Sequence, residues 1–297
     1  MKMKKSIPEI IFDIFNYSIL LFWAVITIYP ILYVLFSSIS DAGRLMSHRG
    51  LLLYPLGVHL DAYKIVFQNP MILRGYMNTA IIVFGGTALN LFMTSLGAYF
   101  LSRKDVLWKN VVMVMIVITM YFGGGLIPHY LVVTGLGMRN SLLALIIPGA
   151  ISAYSMIVMR TSFQSIPASM EESALLDGAN NFSILFRIVL PLSKAMLAVM
   201  ALWYGVGHWN SWFGAAIYLT KRELYPIQLI MREILMQNVD SQEIYKMTAG
   251  GGQDDDAQIA ETIKYAMIII ATAPILCAYP YLQKHFVKGV MIGSLKG

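Results

Sequence analysis

Six apolar stretches, each long enough to cross the hydrocarbon of a bilayer, dominate this chain and leave few folds open to it. At 1.5 Å per helical residue a crossing takes about 20 residues. The runs cover Ile14 to Ile39, Thr79 to Leu101, Val111 to Val133, Leu142 to Met159, Ala195 to Leu219 and Ile263 to Tyr281. Composition agrees, because 58% of the 297 residues are hydrophobic and 13% charged, against about 25% charged in a soluble domain. One compact core cannot hide that excess, so it faces lipid. The expected fold is all-α and integral to a membrane, with six transmembrane helices. The first run follows Lys2, Lys4 and Lys5, and Ser38-Ile39-Ser40 imitates a signal cleavage site. It is longer than the about 7 to 15 residues of a signal h-region and reads as a retained helix.

Short loops set orientation, since positive charge is retained in the cytoplasm. With both termini cytoplasmic, twelve of the 22 basic and six of the 16 acidic residues fall inside, so the whole net charge of +6 lies on one side. Residues 1–13 then form a cytoplasmic tail and 14–297 the transmembrane domain, with a cytoplasmic loop at 160–194 and an external loop at 220–262. The basic residues lie in small groups between apolar runs, which excludes a nucleic-acid face. A lone Cys277 permits no intramolecular disulfide. Asp254-Asp255-Asp256 lacks the spacing of an EF-hand calcium loop, and no metal site is expected.

The loop between the fourth and fifth runs is the most specific segment. It carries Arg160, Glu171, Glu172, Asp177, Arg187 and Lys194, which at mid-bilayer would cost roughly 15 to 21 kcal/mol together. It therefore lies outside the membrane. Ser169 and Glu172 have capping-box spacing and Asp177-Gly178 supplies a stop, giving one short helix with Met170, Ala174 and Leu175 on a face. A second helix is expected from Asn181 to Pro191, with Phe182, Leu185, Phe186 and Val189 on a face. Apolar faces held in water need a cover, either the end of the chain's own bundle or a soluble partner.

Glu172-Ser173-Ala174, Gly178 four residues after Ala174, Ile188 ten residues further on and Leu190-Pro191 resemble the EAA motif of bacterial ABC-importer permeases. Ser173 stands where the family usually has Ala, a small-for-small departure. The string from Ile166-Pro167 to Asp177-Gly178-Ala179 is similar to the carbohydrate branch of that family. Ala62-Tyr63-Lys64, Asn69-Pro70, Asn78-Thr79 and Trp209-Asn210-Ser211-Trp212 look like permeases for polysaccharide-derived oligosaccharides, most similarly the second membrane subunit of alginate-type importers. The resemblance implies a type I importer permease fold whose cytoplasmic coupling helix fits a cleft in a separate ATPase. Glu171, Glu172, Ser173, Ala174, Asp177, Gly178 and Ala179 would then carry the coupling. It further implies a second homologous permease forming a heterodimer, two ATP-binding cassette subunits, an extracytoplasmic solute-binding protein and a bacterial inner membrane. No Gly-x-x-x-x-Gly-Lys phosphate loop occurs, so ATP and Mg belong to the partner subunits and this chain binds no cofactor.

In the fifth run Tyr204, His208, Trp209 and Asn210 are candidates for the substrate path, because rings stack on sugar C–H faces while amides and imidazoles meet hydroxyls. Trp212 reads as an interfacial anchor. Gly250, Gly251 and Gly252 are candidates for contact with the binding protein. Gly123-Gly124-Gly125 with Pro128 interrupts the third run as either a hinge or a close-packing site, packing being the preferred reading. An intramembrane hydrolase would need His-Glu-x-x-His, Gly-x-Ser-x-Gly or paired intramembrane carboxylates, and none is present. A standalone secondary transporter would need an inverted repeat and an acidic residue within a span to bind a coupling ion; neither is found.

Overall fold

The computed structural model describes residues 6–236, 261–277 and 280. Gly250 to Gly252, Asp254 to Asp256 and the end of the sixth run lie outside the described residues. The described residues contain helices and no strand, and they fall into two compact units, 6–69 with 234–236 and 261–272, and 70–233 with 273–277 and 280.

In the first unit, α1 (Ile7–Ile39) begins seven residues before the apolar run, because Glu9 accepts the Ser6 N–H at 2.9 Å and Pro8 is pre-set for a first turn. Its side chains from Ile14 to Ile28 stay outward, including Phe22 at 60% and Trp23 at 59% exposed. The far end differs. Ser37, Ser38 and Ser40 are buried there, with the Ser38 and Tyr63 hydroxyls 2.7 Å apart and the Leu56 N–H donating to Ser40 Oγ at 3.0 Å. The would-be cleavage site is thus a hydrogen-bonded corner. It joins α1 to α2 (Ala42–Ser47), capped by Asp41, and then α3 (Asp61–Gln68). Lys64 donates to Asp61 across one turn of α3 at 2.9 Å and holds that carboxyl below the usual carboxylate range. Residues 261–277 are helical, and Tyr265 meets Tyr33 edge-on at 6.0 Å.

The second unit is built on α4 (Pro70–Ser102), which starts nine residues before the second run because Pro70 supplies a first-turn φ. Gly75, Thr79, Ile82, Gly86, Asn90, Thr94, Ala98 and Leu101 are buried at three- and four-residue spacing, so one seam of the helix is small and polar. Leu73, Met77, Ile81 and Phe84 on the other side are exposed.

Three of the expected single helices are broken. The third run is two helices, α5 (Lys109–Tyr121) and α6 (Leu126–Gly135), at 114°. Close packing at the triple glycine is therefore corrected. A Cβ on Gly123 or Gly125 would meet nothing within 4 Å, and Gly125 has φ +83°; these residues make a bend. The fourth run is α7 (Leu143–Ile146) and α8 (Ala153–Gln164), since Pro148 lacks an N–H and disfavours helix in the residue before it.

Beyond α9 (Ala168–Leu176) and α10 (Asn181–Leu192), the fifth run is α11 (Lys194–Trp209) followed by α12 (Phe213–Tyr218). The loop expected from residue 220 contains a further helix, α13 (Ile227–Met236), with Ile227 through Ile230 buried. Packing concentrates where α4, α8, α10 and α11 meet around Ala98, Met156, Met159, Leu185, Val189 and Met200.

Candidate functional site

The α9 segment is built by its two ends. Pro167, at φ −58°, occupies the cap position, so the helix starts before Ser169, and the expected capping box of Ser169 with Glu172 does not form. The stop forms as the sequence predicts. Gly178 sits at φ +80°, its N–H donates to Leu175 O at 3.0 Å, and the Ala179 N–H reaches Ala174 O at 2.9 Å. That pair of bonds closes the helix, and a left-handed residue there favours glycine.

The second helix also departs from expectation. Asn180 caps α10 by accepting the Ser183 N–H at 2.8 Å, and the chain then takes a π-turn over Leu185–Val189. The wider turn carries the helix past Pro191 to Leu192, and it divides the expected apolar face. Ile184, Leu185 and Val189 are buried, whereas Phe182 is 65% and Phe186 46% exposed. The chain's own bundle therefore covers half of this element. On α9, Leu176 is 90% exposed, with Met170 and Leu175 near half. Glu172, Ser173, Asp177 and Gly178 are exposed beside them, while Ala174 and Ala179 are half-buried against the core. Glu171 turns away from that surface and ion-pairs with Arg103, just past the end of α4. A cavity of about 220 Å³ lies beside this pair, lined by Tyr99, Phe100, Arg103, Asp105, Phe182 and Leu185 among others.

Three of the four substrate-path candidates meet α4. The Tyr204 and Thr94 hydroxyls are 2.7 Å apart, and His208 Nε2 lies 2.6 Å from Asn90 Oδ1. The Asn90 amide in turn donates to the carbonyl of Gly149. Asn90 thus supplies a partner to backbone that the Pro148 break withdraws from helix, as irregular backbone at membrane depth requires. Gly86 admits the imidazole, because a Cβ there would lie 2.5 Å from His208 Nε2. Trp209 packs 6.3 Å from the Tyr76 ring, and Asn210 is exposed at the α11 terminus. Trp212 lies under the guanidinium of Arg232 at 4.0 Å.

The opposite end of α4 carries a second polar joint. Asn78 Nδ2 donates to Glu223 O at 2.8 Å and Tyr225 O at 3.1 Å, and Thr79 Oγ1 accepts the Ile227 N–H at 2.9 Å. Asn78-Thr79, noted in the sequence only as part of a resemblance, thereby fixes the start of α13. Asn90, Thr94 and Arg103 were missed. Polar residues four apart inside an apolar run were the available signal for the first two; nothing local announces the third.

Long apolar helices, sharply bent helix pairs and a short helix with an exposed tip, all among the described residues, define the class. The chain belongs to the family described as the binding-protein-dependent transport system inner membrane component, which residues 106–292 match. It is a permease subunit of an ABC importer, a transport component rather than an enzyme. It is 39% identical over 288 residues to the polygalacturonan/rhamnogalacturonan transport system permease protein YtcP of Bacillus subtilis (strain 168), covering 97% of this chain and 99% of that one. Protein LplC of the same organism is 39% identical over 289 residues, 97% of this chain and 95% of that protein. Among solved structures, a bacterial ABC transporter involved in the import of the acidic polysaccharide alginate matches with a TM-score of 0.86 and 30% identity, over 96% of this chain and 100% of that chain.

Proposed function

We propose that this chain is one of two non-identical membrane subunits of an importer for oligosaccharides cut from acidic polysaccharides. The relatives carry the substrate class: YtcP is named for polygalacturonan/rhamnogalacturonan transport, and the solved relative is involved in the import of the acidic polysaccharide alginate. The observation that carries the mechanism is α9, a helix stopped by Gly178 with Leu176 90% exposed and charged neighbours that bar it from lipid. An apolar tip of that kind, outside the membrane, is a plug for a groove on a soluble subunit.

In this proposal the chain has six spans, with both termini cytoplasmic and α9 as the coupling helix. ATP and Mg are bound by a pair of cassette subunits beneath α9, and their closure swings the membrane helices between inward-facing and outward-facing states. Glu172, Ser173, Ala174, Asp177, Gly178 and Ala179 form the dock, and Glu171 positions it from behind. Trp209 and Asn210 edge the substrate path, and Tyr204 and His208 fix α11 beside it. Gly250 to Gly252 meet the solute-binding protein.

The test is reconstitution in vesicles with the ATPase, the second permease and the binding protein, using labelled oligogalacturonides and alginate oligosaccharides. Uptake that needs ATP and every subunit is expected. Uptake by this chain alone, driven by a proton gradient, would overturn the proposal.

A further inference from the structure

The second unit contains one element that no role above absorbs as a whole. Helix α4 runs unbroken for 33 residues, about 50 Å at 1.5 Å per residue, and carries no proline past its first position. Each end is bonded to a different functional segment. At one end Asn78 and Thr79 hold the backbone of Glu223, Tyr225 and Ile227, where α13 begins. At the other, Arg103 ion-pairs with Glu171 of α9, the two side chains being 12% and 18% exposed.

The Arg103 end is itself stiffened. Helix termini leave carbonyls without partners, and here Arg160 Nε donates to Leu101 O at 3.0 Å while Lys109 Nζ donates to Arg103 O at 2.6 Å. The Arg103 guanidinium also lies over the Tyr99 ring, 5.4 Å from its centroid, so it is held to the last turn of α4. Between the two ends, Asn90 and Thr94 bond to α11.

We infer that α4 is the strut that transmits movement of α9 to the outer segment at 220–233, and that Arg103 with Glu171 is its joint. This rests on the reading of α9 as the coupling helix. An exposed ion pair would be too weak for such a link; one with both side chains mostly buried, and one partner pinned to the helix end, constrains geometry as well as charge. Arg103 is a positioning residue, since it acts on the dock through Glu171.

The experiment uses the whole complex in nanodiscs, in a Cys277→Ser background. A cysteine replaces Leu73, which lies at the outer end of α4 and is 69% exposed. Its alkylation rate by a maleimide is measured with and without ATP and vanadate. The nucleotide should change that rate by about threefold or more, in the range of coupling that single residues command. Arg103→Gln should abolish the change while the ATPase still co-purifies, and the exchange R103E/E171R should restore it. A nucleotide effect that survives Arg103→Gln overturns the joint, as does an exchange variant as silent as the single one. No nucleotide effect at Leu73 in the parent chain overturns the strut. Failure of the underlying reading is seen separately: Leu176→Arg would then leave the ATPase bound.

Discussion

Helices α1 and α4 have the same length, 33 residues, and both are apolar enough to cross a bilayer, yet they are built on opposite principles. Over its most apolar stretch α1 buries nothing against the described residues, and its apolar residues run all round the helix. α4 buries a seam of Gly75, Thr79, Gly86, Asn90 and Thr94 and keeps large apolar side chains for the other side. Lipid tails are as apolar as leucine, so burying more leucine gives no drive for helices to associate in a bilayer. Small residues that let helices approach, and polar groups that bond across them, do the specifying. α1 is therefore a span fitted to its solvent, and α4 a span fitted to its neighbours.

The sharpest way to break this contrast is a charge on the open side of α1. Leu21→Arg, in the middle of α1, should cost about 2.5 to 3.5 kcal/mol of insertion free energy, read as loss of membrane-integrated chain in a glycosylation-based insertion assay. Unimpaired insertion would mean that water or protein, not lipid, covers that turn. Next comes the seam. Asn90→Leu leaves both His208 and the Gly149 carbonyl without partners and should destabilise by about 2 kcal/mol, lowering the thermal midpoint of the detergent-solubilised chain. A shift no larger than that of a surface change would remove Asn90 from the scaffold. Thr94→Val, which removes one inter-helix bond to Tyr204, should cost only about 0.6 kcal/mol, the average of such bonds in membrane proteins. The smallest effect belongs to Leu21→Ala, within about 0.5 kcal/mol if lipid replaces the missing atoms; a larger loss in the assembled complex than in the isolated chain would place a partner subunit against α1.

The same contrast explains how much could be read in advance. Runs of apolar residues announce themselves because the bilayer tolerates nothing else, and the charges from Arg160 to Lys194 mark a segment that lipid would reject. Gly178 was legible as a stop because its left-handed conformation suits one residue type. Run length ignores punctuation, and so Pro148, the Gly123-Gly124-Gly125 bend and the Asn210 terminus became breaks inside supposedly single helices. The π-turn over Leu185–Val189 changes the helical period itself, which is why Phe182 and Phe186 parted from Leu185 and Val189. Asn90 and Thr94 stand in the sequence at helical spacing, but an averaged reading of hydrophobicity passes over them. The Arg103 pair with Glu171 joins segments far apart in the chain, and only the fold brings them together.

What the account depends on most is that the exposed tip of α9 meets the ATPase. A photo-crosslinking residue placed at Leu176 of the membrane-embedded complex measures that contact, with Phe84, 76% exposed on α4, as the lipid-facing control. The account predicts one adduct of this chain with the ATP-binding subunit from position 176 and none from position 84. An adduct with the solute-binding protein, or no protein adduct from 176 while the ATPase remains bound, would contradict it.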